Sequence, residues 1–151
     1  MPDDSNNHGQ QSKGLVILID EEKIPMETYV KALELAEFEV RQYFDPDPFF
    51  TFLDEEEPDI AAIVLDIMMP VKEKGRYAKE ETDEGLKTGY YVYRDLRAIE
   101  RYSTVPIVVL TNIAYQKSLN IFPDEPHLEK WKKLDCPPTK LAERVVKMIQ
   151  P

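Results

Sequence analysis

The stretch Asp59–Pro70, DIAAIVLDIMMP, decides how this chain reads. Ile60 to Leu65 is an unbroken run of apolar or small residues, with Ile60, Ile63 and Val64 β-branched. A strand covered by helices on both faces reads this way, whereas a half-exposed strand alternates. The run stops at a carboxylate, Asp66, which Ile67, Met68, Met69 and Pro70 follow. Open α/β sheets place their ligands at the carboxyl ends of central parallel strands. Taken alone, Asp66 reads equally well as an ordinary strand-ending acid, solvated or capping a loop. The flanking sequence has to discriminate.

Toward the N-terminus, Leu15 to Ile19 (LVILI) is a second apolar run, and it too ends in acid, at Asp20, Glu21 and Glu22. Met26 to Glu37 carries Met26, Tyr29, Val30, Leu33 and Ala36 at helical spacing. Phe38 to Phe44 predicts a strand, broken by Asp45, Pro46, Asp47 and Pro48. Phe49, Phe50, Phe52 and Leu53 predict a short amphipathic helix, closed by the acidic run Asp54 to Glu57 and by Pro58. Residues 1–13 are polar and carry Pro, Gly and Asn, which predicts a disordered leader before a single domain over 14–150.

Toward the C-terminus, Val71 to Thr88 is charged at ten of its positions and holds two glycines. Connections so long and polar are uncommon within compact domains. Gly89 to Tyr102 predicts a helix, Val105 to Leu110 a fourth strand ending at Thr111, and Ala114 to Ile121 a short helix. Glu129 to Leu134 predicts a lysine-rich edge strand, and Lys140 to Ile149 a closing helix with Leu141, Val145, Met148 and Ile149 inward. Strands and helices alternate throughout, the pattern of an α/β doubly wound parallel sheet of five strands.

Composition narrows the function classes. The chain has 151 residues, room for one core, and 42% are hydrophobic. Twenty-nine acidic residues against 19 basic give a formal net charge of -10, a poor match for direct binding to nucleic acid. No apolar run approaches a membrane span of roughly 20 residues, and the N-terminus lacks a signal-peptide layout. The single cysteine, Cys136, fits a reducing cytoplasm and excludes an internal disulfide.

In a sheet ordered 2-1-3-4-5, strands 1, 3 and 4 are central neighbours, so Asp20, Glu21, Asp66 and Thr111 converge on one pocket. Carboxylates gathered there repel one another unless a cation sits among them, and oxygen donors with room for water suit Mg²⁺. Such a constellation suits phosphoryl transfer to a carboxylate, with Asp66 as nucleophile and Thr111 sensing the product.

At this point the chain resembles the response-regulator receiver domain of two-component signalling, from Lys13 to Ile149. ILIDEEKIPMETYVKALELAEFEV is similar to the family's opening strand and helix, IVLDIMMP to its phosphoacceptor strand and Met-Pro turn, and PIVVLT to its switch strand. The resemblance implies the flavodoxin-like receiver fold and Asp66 as phosphoacceptor. It implies Thr111 as switch hydroxyl and Mg²⁺ held by Asp20, Glu21, Asp66 and the backbone carbonyl of Met68. It further implies a cytoplasmic signalling protein that is not a turnover enzyme. Such a domain takes its phosphoryl group from a sensor histidine kinase or phosphotransfer protein and switches protein–protein contacts.

Three departures stand out. Glu21 replaces the family's usual Asp. The glycine usually found soon after the turn proline matches Gly89, so most of 71–88 is an insertion, expected to act as a lid or a partner-specific surface. The family's Lys-Pro pair is missing: matching the proline puts Cys136 at the lysine position, and matching the distance to the last helix puts Lys133 there. The rival reading is a degenerate receiver that no longer takes a phosphoryl group and serves as an interaction scaffold. A hydrolase forming aspartyl phosphates with two aspartates two residues apart is excluded by Met68. A flavin or nucleotide carrier lacks its phosphate loop after Ile19.

Overall fold

The computed structural model describes residues 12–69, 71–112 and 119–150. Five parallel strands form one sheet: β1 (Leu15–Ile19), β2 (Glu39–Tyr43), β3 (Ala62–Leu65), β4 (Ile107–Thr111) and β5 (Leu128–Lys132), in the spatial order β2-β1-β3-β4-β5. Among the described residues four α-helices flank it: α1 (Lys23–Leu35), α2 (Pro46–Glu56), α3 (Thr88–Ala98) and α4 (Pro138–Ile149). This is the doubly wound order expected from the sequence. No helix among the described residues is long and apolar enough to cross a membrane.

Strand alternation divides the core into two layers. Ile17, Ile19, Ile63, Leu65, Ile107 and Val109 face one side, where they meet Phe49, Phe50 and Leu53 of α2 and Val92 and Leu96 of α3. Val16, Leu18, Ala62, Val64, Val108 and Leu110 face the other, against Met26, Tyr29 and Leu33 of α1 and Leu141 and Val145 of α4. Both faces are buried, which is why β1, β3 and β4 are continuously apolar.

Several boundaries differ from the sequence expectation. The second strand spans only Glu39–Tyr43; Phe38 instead packs into the α1–α4 layer. Pro46 and Pro48 do not lie in a loop. They open α2, because Asp45 caps it by accepting the Asp47 N–H at 2.9 Å and a first-turn proline lacks only a donor that the helix would leave unpaired. The helix then runs through Asp54 to Glu56, residues expected to close it. The fifth strand is Leu128–Lys132 and ends before Lys133 and Leu134, which enter a single 3-10 turn. Trp131 on β5 is half-buried, with the Lys140 ammonium 4.2 Å from its ring centroid. Of the leader 1–13, residues 1–11 lie outside the described residues, as do Pro70 and most of the helix expected over Ala114–Ile121. Ser12 and Lys13 are tied down: the Lys13 N–H donates to the Glu37 carbonyl at 2.8 Å and Ser12 Oγ accepts from the Glu39 N–H at 3.2 Å.

The insertion is anchored by its own core residue. Tyr77 is buried against the α2–α3 layer and its hydroxyl donates to Asp95 Oδ2 at 2.7 Å. The Arg76 guanidinium lies 3.8 Å from the Phe50 ring centroid, and the Arg76 N–H donates to Asp47 Oδ1. Thr88 closes the insertion by donating its hydroxyl to the Met69 carbonyl at 2.7 Å.

Candidate functional site

Parallel pairing sets the candidate residues at one end of the sheet. Ile19 is in register with Leu65, and Leu65 with Val109, so the residues that follow each strand emerge side by side. The backbone continues the ladder past the strands: Asp66 N–H donates to Ile19 O and Asp20 N–H to Tyr43 O, both at 3.0 Å. Asp20 and Asp66 are therefore fixed by main-chain bonds and are 2% and 6% exposed. Thr111, fully buried at the end of β4, stands beside Asp66, where its hydroxyl favours the Asp66 carboxylate. The N–H of Ile67 donates to Asp66 Oδ1 at 2.8 Å.

The helix α3 starts hard against this strand end. Gly89 N–H donates to the Ile67 carbonyl at 2.7 Å, and a Cβ on Gly89 would fall 2.1 Å from the Asp66 carbonyl oxygen. Only glycine permits that approach. The position matched to the family glycine thus has a steric cause in this chain.

Two residues competed for the missing lysine, and their surroundings differ sharply. Lys133 Nζ lies 2.8 Å from Asp20 Oδ2 and 3.6 Å from Glu22 Oε1. Cys136 is fully buried beside Leu141 and Val145, and burial pushes its thiol up. The 3-10 turn Lys133–Asp135 separates them, turning the lysine toward the strand ends and the cysteine beneath α4.

The charges are in conflict. Burial, and then the like charge of Asp20, pushes the Asp66 carboxyl up to about 7, against the opposing effects of Lys133, Thr111 and the Ile67 N–H. Burial works to lower the Lys133 ammonium, yet the hydrogen bond and charge of Asp20, then the charges of Asp66 and Glu22, hold it above the ordinary lysine value. Glu21 is exposed at the rim; partial desolvation, then Asp20 and Glu22, raise its carboxyl.

A cleft of about 280 Å³ opens here, lined by Glu21, Glu22, Asp66, Met68, Thr111 and Asn112. No residue of the 71–88 insertion lines it; the insertion packs on the α2–α3 side through Tyr77. Two lining residues were not singled out in the sequence. Glu22 was visible only as the third acid after β1, and Asn112 only as the neighbour of Thr111. Among the described residues no group of three or more His, Cys, Asp or Glu side chains stands gathered as a metal site. The donors at the cleft are hard oxygens, however, and Asp66 among them is repelled by the like charge of the neighbouring Asp20. That chemistry suits a divalent cation such as Mg²⁺.

No family model matches the chain, and a search of curated proteins returns no match. Solved structures do match it. The chain is similar to the BeF3-activated receiver domain of DrrB, at 18% identity and a TM-score of 0.65, covering 91% of this chain and 98% of that one. It is similar to a response-regulator receiver domain from Clostridium thermocellum, at 16% identity and a TM-score of 0.69, covering 90% and 94%. It is also similar to the signal receiver domain of a signal transduction histidine kinase from Syntrophus aciditrophicus, at 19% identity and a TM-score of 0.66, covering 90% and 89%. The strand order, the helix placement and these likenesses agree: the chain has the fold of response-regulator receiver domains.

Proposed function

We propose that residues 14–150 act as a phosphoacceptor receiver in which Asp66 takes a phosphoryl group from a histidine kinase or phosphotransfer protein. The observation that carries this reading is the position of Asp66: a buried carboxylate at the end of the central strand, lining the cleft beside Thr111. In the transfer, an Asp66 carboxylate oxygen forms a bond to phosphorus as the donor's N–P bond breaks. The electron pair goes to the donor imidazole nitrogen, which is protonated by solvent. Thr111 is placed to bond a phosphoryl oxygen once one stands on Asp66, and that bond biases the ends of β4 and β5 toward one set of partner contacts. Lys133 supplies the fixed cation of the site, the role left open between it and Cys136. Asp20, Asp66, Glu21 and the Met68 carbonyl are the groups that would hold Mg²⁺, which when bound neutralises charge on a transferring phosphoryl group. The domain is a signalling element, modified once per event, rather than a turnover enzyme, and the cytoplasm is where its donors operate.

One observation favours the rival. The Lys133 ammonium already neutralises Asp20, so the acidic pocket is partly satisfied without a cation. A scaffold that never accepts a phosphoryl group accounts for that pairing as well. Intact mass after incubation with Mg²⁺ and acetyl phosphate, for wild type and Asp66→Asn, separates the two. The receiver gives one phosphoryl adduct that the variant lacks; no adduct on wild type, together with no Mg²⁺ binding, selects the scaffold.

A further inference from the structure

Glu22 and Asn112 line the cleft, yet the function above gives them no role. Glu22 Oε1 accepts a hydrogen bond from Asn112 Nδ2 at 3.0 Å and stands 3.6 Å from Lys133 Nζ. The Glu22 N–H donates to Asp20 Oδ1 at 2.9 Å, which turns the loop after β1 so that the side chain reaches the ends of β4 and β5. One carboxylate therefore spans the cleft from the β1 loop to the residue after Thr111, with Asp66 lining the same space.

We propose that Glu22, tethered by Asn112, is the gate of this cleft: it holds the Lys133 ammonium on the β1 side in the resting protein and disfavours free anionic phosphodonors at Asp66. The inference rests on the receiver reading and deepens it toward donor choice. The ion pairs of Lys133 go to Asp20 and Glu22. A phosphoryl group on Asp66 brings close to two negative charges and competes with Glu22 for the same ammonium. Before transfer, the Glu22 carboxylate is a like charge in the path of a donor that is itself an anion. A small free donor meets that repulsion with nothing to offset it. A protein donor brings interface contacts that do. Glu22 is thus a specificity-determining and positioning residue, not a nucleophile.

The test uses Glu22→Gln, which keeps shape and an acceptor oxygen but removes the charge, and Asn112→Ala, which cuts the tether. Adduct formation from acetyl phosphate, followed by intact mass, is expected to run about three- to tenfold faster in Glu22→Gln at low salt. The gain should shrink as ionic strength rises. Asn112→Ala should move the same way by less. A second readout does not need phosphorylation: proton exchange of the Lys133 ammonium by nitrogen-15 NMR, with Lys133→Arg identifying the signal. It is expected to speed up several-fold in Glu22→Gln. Wild type that forms the adduct at the same rate as Glu22→Gln overturns the gate while the receiver reading stands. Unchanged Lys133 exchange overturns it too, because the ammonium is then held by Asp20 alone. Absence of an adduct in wild type and both variants overturns the receiver reading, and the gate with it.

Discussion

Lys133 and Asp20, 113 residues apart in the chain, meet in an ion pair of 2.8 Å at which the two side chains are 10% and 2% exposed. An aspartate buried to that extent needs its cation. Lys133→Met leaves Asp20 uncompensated and is expected to cost about 3 kcal/mol, the scale of breaking one half of a buried pair. The double variant Lys133→Met/Asp20→Asn should recover most of that loss. Urea unfolding of the three proteins, with wild type as reference, reads it out. Equal stability of Lys133→Met and wild type would mean that the pair is solvated in solution.

Asp66 makes stability depend on pH. Its carboxyl is held at about 7 in the folded chain against the ordinary 3.8 of an aspartate in the unfolded one. Between those values the folded state keeps a proton that the unfolded state has lost, so stability falls as pH rises from about 4 to about 7. The full effect is on the order of 4 kcal/mol. Asp66→Asn, measured beside wild type by urea unfolding in chelated buffer, should gain on wild type more at pH 8 than at pH 4. A difference that is the same at both pH values would place the Asp66 carboxyl near its unperturbed value.

The insertion is predicted to contribute to stability through Tyr77 and not through its charges. Tyr77 is 4% exposed and joins Asp95. Tyr77→Ala should therefore cost about 3 kcal/mol, as core aromatic truncations do. Glu73→Ala, at an exposed position, should stay within about 0.5 kcal/mol of wild type. Thermal unfolding of both distinguishes a packed insertion from a solvated excursion, for which neither change would matter.

The end of α1 carries a correctable strain. Glu37 has φ 75, and the flanking bonds, Phe38 N–H to Leu33 O and Glu37 N–H to Glu34 O, are those of a helix stop that usually places glycine at this position. Glu37→Gly relieves the left-handed Cβ clash and should raise stability by roughly 0.5–1 kcal/mol, net of the added freedom of the unfolded chain. A drop in melting temperature would show that the Lys13–Glu37 contact of 3.8 Å matters more than the backbone.

The parts of the fold that could be read from the sequence are those where burial imposes a pattern. Ile63, Val64 and Leu65 are all buried because helices cover both faces of β3, and the same holds for β1 and β4. Asp20, Asp66 and Thr111 could be placed together because parallel strands deliver their ends to one edge. Where burial was partial the reading slipped. Glu129 and Lys130 give β5 no apolar alternation, and Pro46 and Pro48 look like breakers unless the Asp45 cap is known.

The sequence by itself thus determined the alternation of strands and helices, the strands buried on both faces and the three polar strand ends, since periodicity records which faces meet other elements; the strand order came with the family resemblance. Tertiary structure alone decided which cation serves Asp20, where 71–88 packs, and that Glu22 reaches Asn112. Lys133 and Cys136 are three positions apart and equally plausible in one dimension; a single 3-10 turn sends one to the cleft and the other under α4. Charge partners are set by loop paths through space, and loop paths leave no period in the chain.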